Sequence, residues 1–198
     1  MTTQAAAPQL TQEEFDTLLD QINAHHKATL AAITAGRPKP APFQLPEGIT
    51  ENDDYRDLPQ SAIDAFGVSR DNNSNQATNN QSHVSDIADK RNSGSISEDD
   101  FDSQLDQQKE DNKDKFGKDQ DDLTNELKKA GHAHPEKQNE ILAAFKSAGD
   151  WIIDNVWNKV KEFFQQLVDK LKELWNKVVD WFEDKVQGLV NWWHGIFG

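Results

Sequence analysis

The chain has 198 residues, a formal charge of −14 and 35% hydrophobic residues, against the roughly 45–50% usual in globular domains; its mean hydropathy is −0.87. The absence of cysteine excludes a disulfide framework and any Cys-based zinc or redox site. The surplus of carboxylates excludes phosphate-backbone binding as the main activity, because that affinity comes from clustered Lys and Arg. No nucleic acid is expected as a partner.

The first residues, MTTQAAAPQL, have no basic stretch followed by an apolar one, so no ordinary secretory signal is expected. No run of about 18 apolar residues exists, which argues against a conventional transmembrane helix. The expectation is a chain made as a soluble cytoplasmic protein. It would reach a membrane only peripherally or after export by a non-classical route.

In chain order, residues 1–36 hold an N-terminal helix over 11–35. Thr11 and Glu14 have capping-box spacing. Phe15, Leu18, Leu19 and Ile22 form an apolar stripe that blurs at His25 and His26, and Gly36 with Pro38 ends the helix. Residues 37–97 read as a linker, first proline-rich (Pro38, Pro40, Pro42, Pro46, Pro59) and then rich in Asn, Ser, Gln and Asp. SAIDAFG (61–67) is expected to make one helical turn and 68–97 to be disordered, for want of large apolar side chains. Residues 98–135 permit helix, but Phe101, Leu105, Phe116, Leu123 and Leu127 are their only sizeable anchors. Such a helix is marginal alone. It reads as a solvated acidic spacer or, alternatively, as a hairpin arm packing on the C-terminal helix. Gly131 and Pro135 mark a break, with a new helical start near Glu136 opening the region 136–198.

All six tryptophans (151, 157, 175, 181, 192 and 193) lie in the last 48 residues. From Val156 the chain repeats with a period of eleven: VWNKVKEFFQQ, LVDKLKELWNK, VVDWFEDKVQG and the shorter LVNWWHGIFG. Position one is Val156, Leu167, Val178 and Leu189, and position two is Trp157, Val168, Val179 and Val190. Position five is Val160, Leu171, Phe182 and Trp193. Position eight is Phe163, Leu174 and Ile196, with Lys185 as the exception, and position nine is Phe164, Trp175, Val186 and Phe197. Eleven residues in three turns is ~3.67 per turn, close to an ordinary α-helix. The five positions therefore share a face spanning about 120°. The pattern predicts a helix over 151–187 capped by Asp150, with these apolar residues facing lipid.

The charges on this face are sorted. Lys159, Lys161, Lys170 and Lys172 fall at the edges of the apolar arc, and Glu162, Asp169 and Glu173 near the centre of the polar one. An edge lysine can lay its methylenes on an apolar phase and lift its ammonium into water. KLKELW and DWFEDKV carry the likeness best: residues 151–190 resemble the eleven-residue amphipathic helices of exchangeable apolipoproteins. That resemblance implies reversible lipid-surface binding. The third unit departs from it, because Trp181 replaces an edge lysine, Glu183 stands where lysine stood and Lys185 enters the apolar face.

The fold class expected is mainly α: a short N-terminal helix, an acidic disordered or weakly helical middle and a long C-terminal amphipathic helix. The partner expected is a phospholipid membrane, with a permeabilising toxin or effector as one branch and a benign lipid coat as the other. The alternative is a scaffold whose C-terminal helices self-assemble into a homo-oligomer or bind a partner helix. No nucleophile elbow, P-loop, zincin or dinucleotide signature is present. His25, His26, His132, His134 and Glu136 are the residues that could ligate a metal, but they read as solvated side chains. No enzyme activity, metal or cofactor is expected.

Overall fold

The computed structural model describes residues 9–51 and 56–157. Thr11 opens the first helix, α1 (Gln12–Thr34), through the expected capping box. The Glu14 amide donates to Thr11 Oγ1 at 3.2 Å and the Thr11 amide donates to Glu14 Oε2 at 2.8 Å. The helix closes at Gly36, whose φ of +65° lets the Arg37 amide reach back to the Ala32 carbonyl. The stripe does not blur at the histidines. Phe15, Leu19, Ile22 and His26 are all fully buried, and Leu30 and Ile33 continue the face.

The second element overturns the expectation of disorder. Residues 60–92 form one helix, α2 (Gln60–Asn92), about 50 Å long at ~1.5 Å per residue. Its end repeats the α1 device: Gly94 takes φ +72° and the Ser95 amide donates to the Lys90 carbonyl. Ser97 then caps α3 (Glu98–Ala133), accepting from the Asp100 amide at 3.1 Å. The two long helices make an antiparallel hairpin.

Composition hid this hairpin because its inner seam is polar. Among the buried positions of α2, Ala62, Phe66, Ser69, Asn73, Gln76, Asn80, Val84 and Ile87 are spaced three or four residues apart as a packed seam requires, with Ala65 and Ala88 buried beside them. Amides in the middle pair across the two helices, with Asn73 Oδ1 and Asn112 Nδ2 left over among the described residues. Gln76 Nε2 donates to the Asn112 carbonyl at 3.0 Å, and Gln108 Nε2 donates to Asn80 Oδ1 at 2.5 Å. Buried Asp119 accepts from Ser69 Oγ at 2.6 Å, Asn72 Nδ2 at 2.7 Å and Asn73 Nδ2 at 3.0 Å. Acidic α3 is thus no solvated spacer, while the C-terminal helix on which it could alternatively pack lies, past Trp157, outside the described residues. Helix α3 packs on α2 along the hairpin and on α1.

After Ala133 the chain turns through a short 3₁₀ segment, Pro135–Lys137, into α4 (Gln138–Ile152). This is the most deeply buried helix: Ile141, Leu142, Ala143, Ala144, Phe145 and Ala148 join Phe15, Leu19, Ile22, Phe66 and Leu127 in one core. Asp150 lies inside α4 and does not cap a new helix, a correction to the expected start at 151. Beyond it the winding widens to a π turn, Ile153–Trp157. The architecture is mainly helical, with no strand among the described residues. The helix expected over 151–187 lies, past Trp157, outside the described residues.

Candidate functional site

The residues expected to face lipid and the described body meet at one place, the end of α4. Val156 and Trp157 fall in the π turn; the other positions, Val160 to Phe197, and the edge lysines 159, 161, 170 and 172 lie outside the described residues. What the structure shows is how the body holds the entry to that segment.

The hold begins with two rings on α1. Phe15 and His26 are eleven residues apart, so they share a face of the helix. Each sits over a helical glycine of a neighbour. A Cβ on Gly131 of α3 would lie 2.1 Å from the Phe15 ring, and one on Gly149 of α4 would lie 2.0 Å from the His26 ring. Glycine inside a helix costs about 0.5–1 kcal/mol relative to alanine. Here it lets three helices approach closely.

His26, 0% exposed, is enclosed by all three helices. Its Nδ1 lies 3.3 Å from Gln120 Oε1 on α3, its Nε2 3.5 Å from Asp150 Oδ1 on α4, and Phe145 meets it edge-on at 5.4 Å. From Asp150 a charged chain runs outward. Lys146 Nζ donates to Asp150 Oδ2 at 2.9 Å and to Glu51 Oε1 at 2.5 Å, and Ser147 Oγ donates to Glu51 Oε2 at 3.2 Å. Burial alone would raise the Asp150 pKa, but the His26 ring and the Lys146 ammonium override it and hold the carboxyl at about 2. For Lys146, burial pulls the pKa down while the Glu51 and Asp150 carboxylates pull harder, and the net is upward. Beside this chain, Asn23 Nδ2 and Lys27 Nζ both donate to Asp121 of α3, at 2.7 and 2.5 Å.

This arrangement can fix helices and bear charge. Its Ser147 hydroxyl donates to Glu51. The candidate metal ligands do not converge. His132 Nε2 pairs with Asp16 at 2.8 Å, His134 Nδ1 with Glu136 at 3.5 Å, and among the described residues no group of three such side chains could hold an ion. His26 is a buried junction residue, contrary to its reading as solvated.

Sequence reasoning missed the His26, Gln120, Lys146, Asp150 and Glu51 cluster. Two signals were present: His26 stands three turns after Phe15 on the same face, and Lys146 precedes Asp150 by one turn. Nothing in the sequence pairs either with Gln120 or Glu51.

Fold and junction together define a mainly helical body with a polar-seamed hairpin, whose last described α-helix precedes the eleven-residue repeat of the sequence. Comparison with family models, curated proteins and solved structures gives no match. No helix of the described residues is long and apolar enough to cross a membrane.

Proposed function

We propose that this protein binds membrane surfaces through the amphipathic repeat at 156–197, with the helical body as its soluble carrier. The observation that carries the reading is an apolar arc that recurs over four units and is rich in Trp and Phe. Trp and its neighbours suit an interface where an apolar ring and a polar N–H find matching surroundings. The body supports this by contrast: among the described residues Val68 is the large apolar side chain left exposed, at 62%. The resemblance to apolipoprotein helices points the same way. Of the two branches, the acidic carrier with a Trp-dense end favours a membrane-perturbing effector over a coat, because the lysine edges that suit a coat are lost in the third unit.

The test is vesicle co-flotation with dye leakage, for the full chain and for residues 1–157. Cutting there keeps Asp150, Ile152 and Ile153, the last two buried in the body. The full chain is expected to float and to release dye, and 1–157 to do neither. Flotation without leakage would assign the coat branch. A stable oligomer in lipid-free buffer, indifferent to vesicles, would establish the scaffold alternative, for which an eleven-residue period favours a right-handed supercoil.

A further inference from the structure

The segment between α1 and α2 is fastened to the helices at four points. Pro38, Pro40, Pro42 and Pro46 keep it out of helix. Lys39 Nζ meets Asp154 of the π turn at 2.5 Å. Phe43, half-buried against the core, stands over His25 of α1 with ring centroids 6.0 Å apart. A turn from Pro46 to Ile49, with Gly48 at φ +91°, then sends Ile49 into the core. Glu51 holds Lys146 and Ser147 of α4. Both polar fastenings grip the second half of α4 and the turn after it, immediately before the repeat.

We propose that residues 37–51 are an acid-sensitive strap: near neutral pH they hold the end of α4 and the π turn against α1, and they loosen when His25 takes a proton beneath Phe43. The strap rests on the membrane reading only for its consequence, the presentation of the repeat to lipid. Its movement is a property of the lipid-free chain.

The groups facing His25 set the sign. Phe43 covers it from the strap, His26 and Thr29 neighbour it on α1, and Asp150 and Lys146 act on it from α4. Burial is the largest influence and lowers its pKa; His26 and Lys146 add to the lowering and Asp150 opposes it. With the strap lifted His25 meets water and binds the proton more tightly. The fastening is therefore complete above the ordinary value of 6.5 and weakens as pH falls below it. The other strap charges, Lys39 on Asp154 and Glu51 on Lys146, are opposite-sign pairs that favour closure while both partners are ionised.

The chain has no cysteine, so Ala28→Cys and Ala41→Cys, two exposed positions outside these contacts, can carry spin labels on α1 and on the strap. Electron–electron distances are measured on the full chain without lipid, at about pH 7.5 and about pH 5, on either side of histidine titration. A single short distance at the higher pH is expected to lengthen and broaden at the lower. In His25→Gln and in His25→Leu it is expected to stay short at both. An unchanged distance in the parent overturns the proposal. So does a shift of the same size in a folded His25 variant, or a loss of helical circular dichroism in the parent at pH 5. Joining the two cysteines with a bis-maleimide should abolish any acid-induced gain in vesicle binding. Strap movement with no vesicle binding at either pH leaves the strap standing and removes the membrane reading. Acid-induced vesicle binding with an immobile strap does the reverse.

Discussion

Gly149 lies so close to the His26 ring that a single methyl cannot be added without moving it. Gly149→Ala gains helix propensity but overpacks the junction. A net loss of about 1–3 kcal/mol is expected, read as a lower melting temperature, with Gly131→Ala behaving alike beneath Phe15. Asp150 makes a second prediction. Its pKa falls from 3.8 to about 2 on folding, so its contribution is complete above pH 4 and is lost as pH falls toward 2. At ~1.36 kcal/mol per pKa unit this is on the order of 2 kcal/mol. With the side chain 37% exposed, screening reduces it to about 1–2 kcal/mol. Asp150→Asn should flatten the stability curve over that acid range and leave Lys146 with Glu51 alone, which equilibrium denaturation at stepped pH would measure.

Among the elements, the hairpin is the one whose stability depends most on polar pairing. Asp119→Ala strips the acceptor from Ser69, Asn72 and Asn73 at once. Buried donors without a partner cost about 1–3 kcal/mol, and denaturant titration should show a loss of this order. Replacing Gln76, Asn80, Gln108 and Asn112 together by leucine should act oppositely on stability. The melting temperature rises because apolar packing replaces matched amides, while the unique register weakens because a polar seam position tolerates fewer pairings than leucine does. Sedimentation of that variant should reveal extra oligomers. The capping signals of this hairpin were legible: Gly94 after Arg91 and Asn92, and Ser97 three residues before Asp100, are ordinary stop and start marks. The hairpin itself was not, because disorder was inferred from missing apolar side chains, and Asn73 or Gln76 reads as a solvated residue until a partner helix supplies its bonds.

Across the whole molecule the charge is unevenly placed. Residues 151–198 carry six lysines and seven carboxylates, a net −1, and the rest carries −13. Attraction to anionic lipid, about 1 kcal/mol per basic residue at the surface, is largely cancelled. Vesicle binding is therefore expected to persist on zwitterionic lipid and in moderate salt, driven by aromatic and aliphatic burial. A strict need for anionic lipid, abolished by salt, would contradict that. Trp175→Asp in the full chain should weaken flotation by an order of magnitude or more, since burying an aspartate at an apolar phase adds to the lost ring area. The melting temperature of the lipid-free body should be unmoved by this change.

What the sequence by itself determined is local and periodic. The Thr11–Glu14 cap, the stop at Gly36, the apolar face of α1 and the eleven-residue recurrence after Val156 each follow from interactions within a few turns of one chain segment. Those are visible wherever residue type and spacing suffice. The tertiary structure decided what depends on a partner far along the chain. His26 became a buried junction because Gln120 and Asp150 arrive from α3 and α4, Asn-rich α2 became a helix because α3 answers its amides, and a proline-rich linker became a strap because Asp154, His25 and Lys146 present themselves to it. A polar side chain carries no mark of whether its hydrogen bonds will go to water or to protein. Only the packing of the helices decides which.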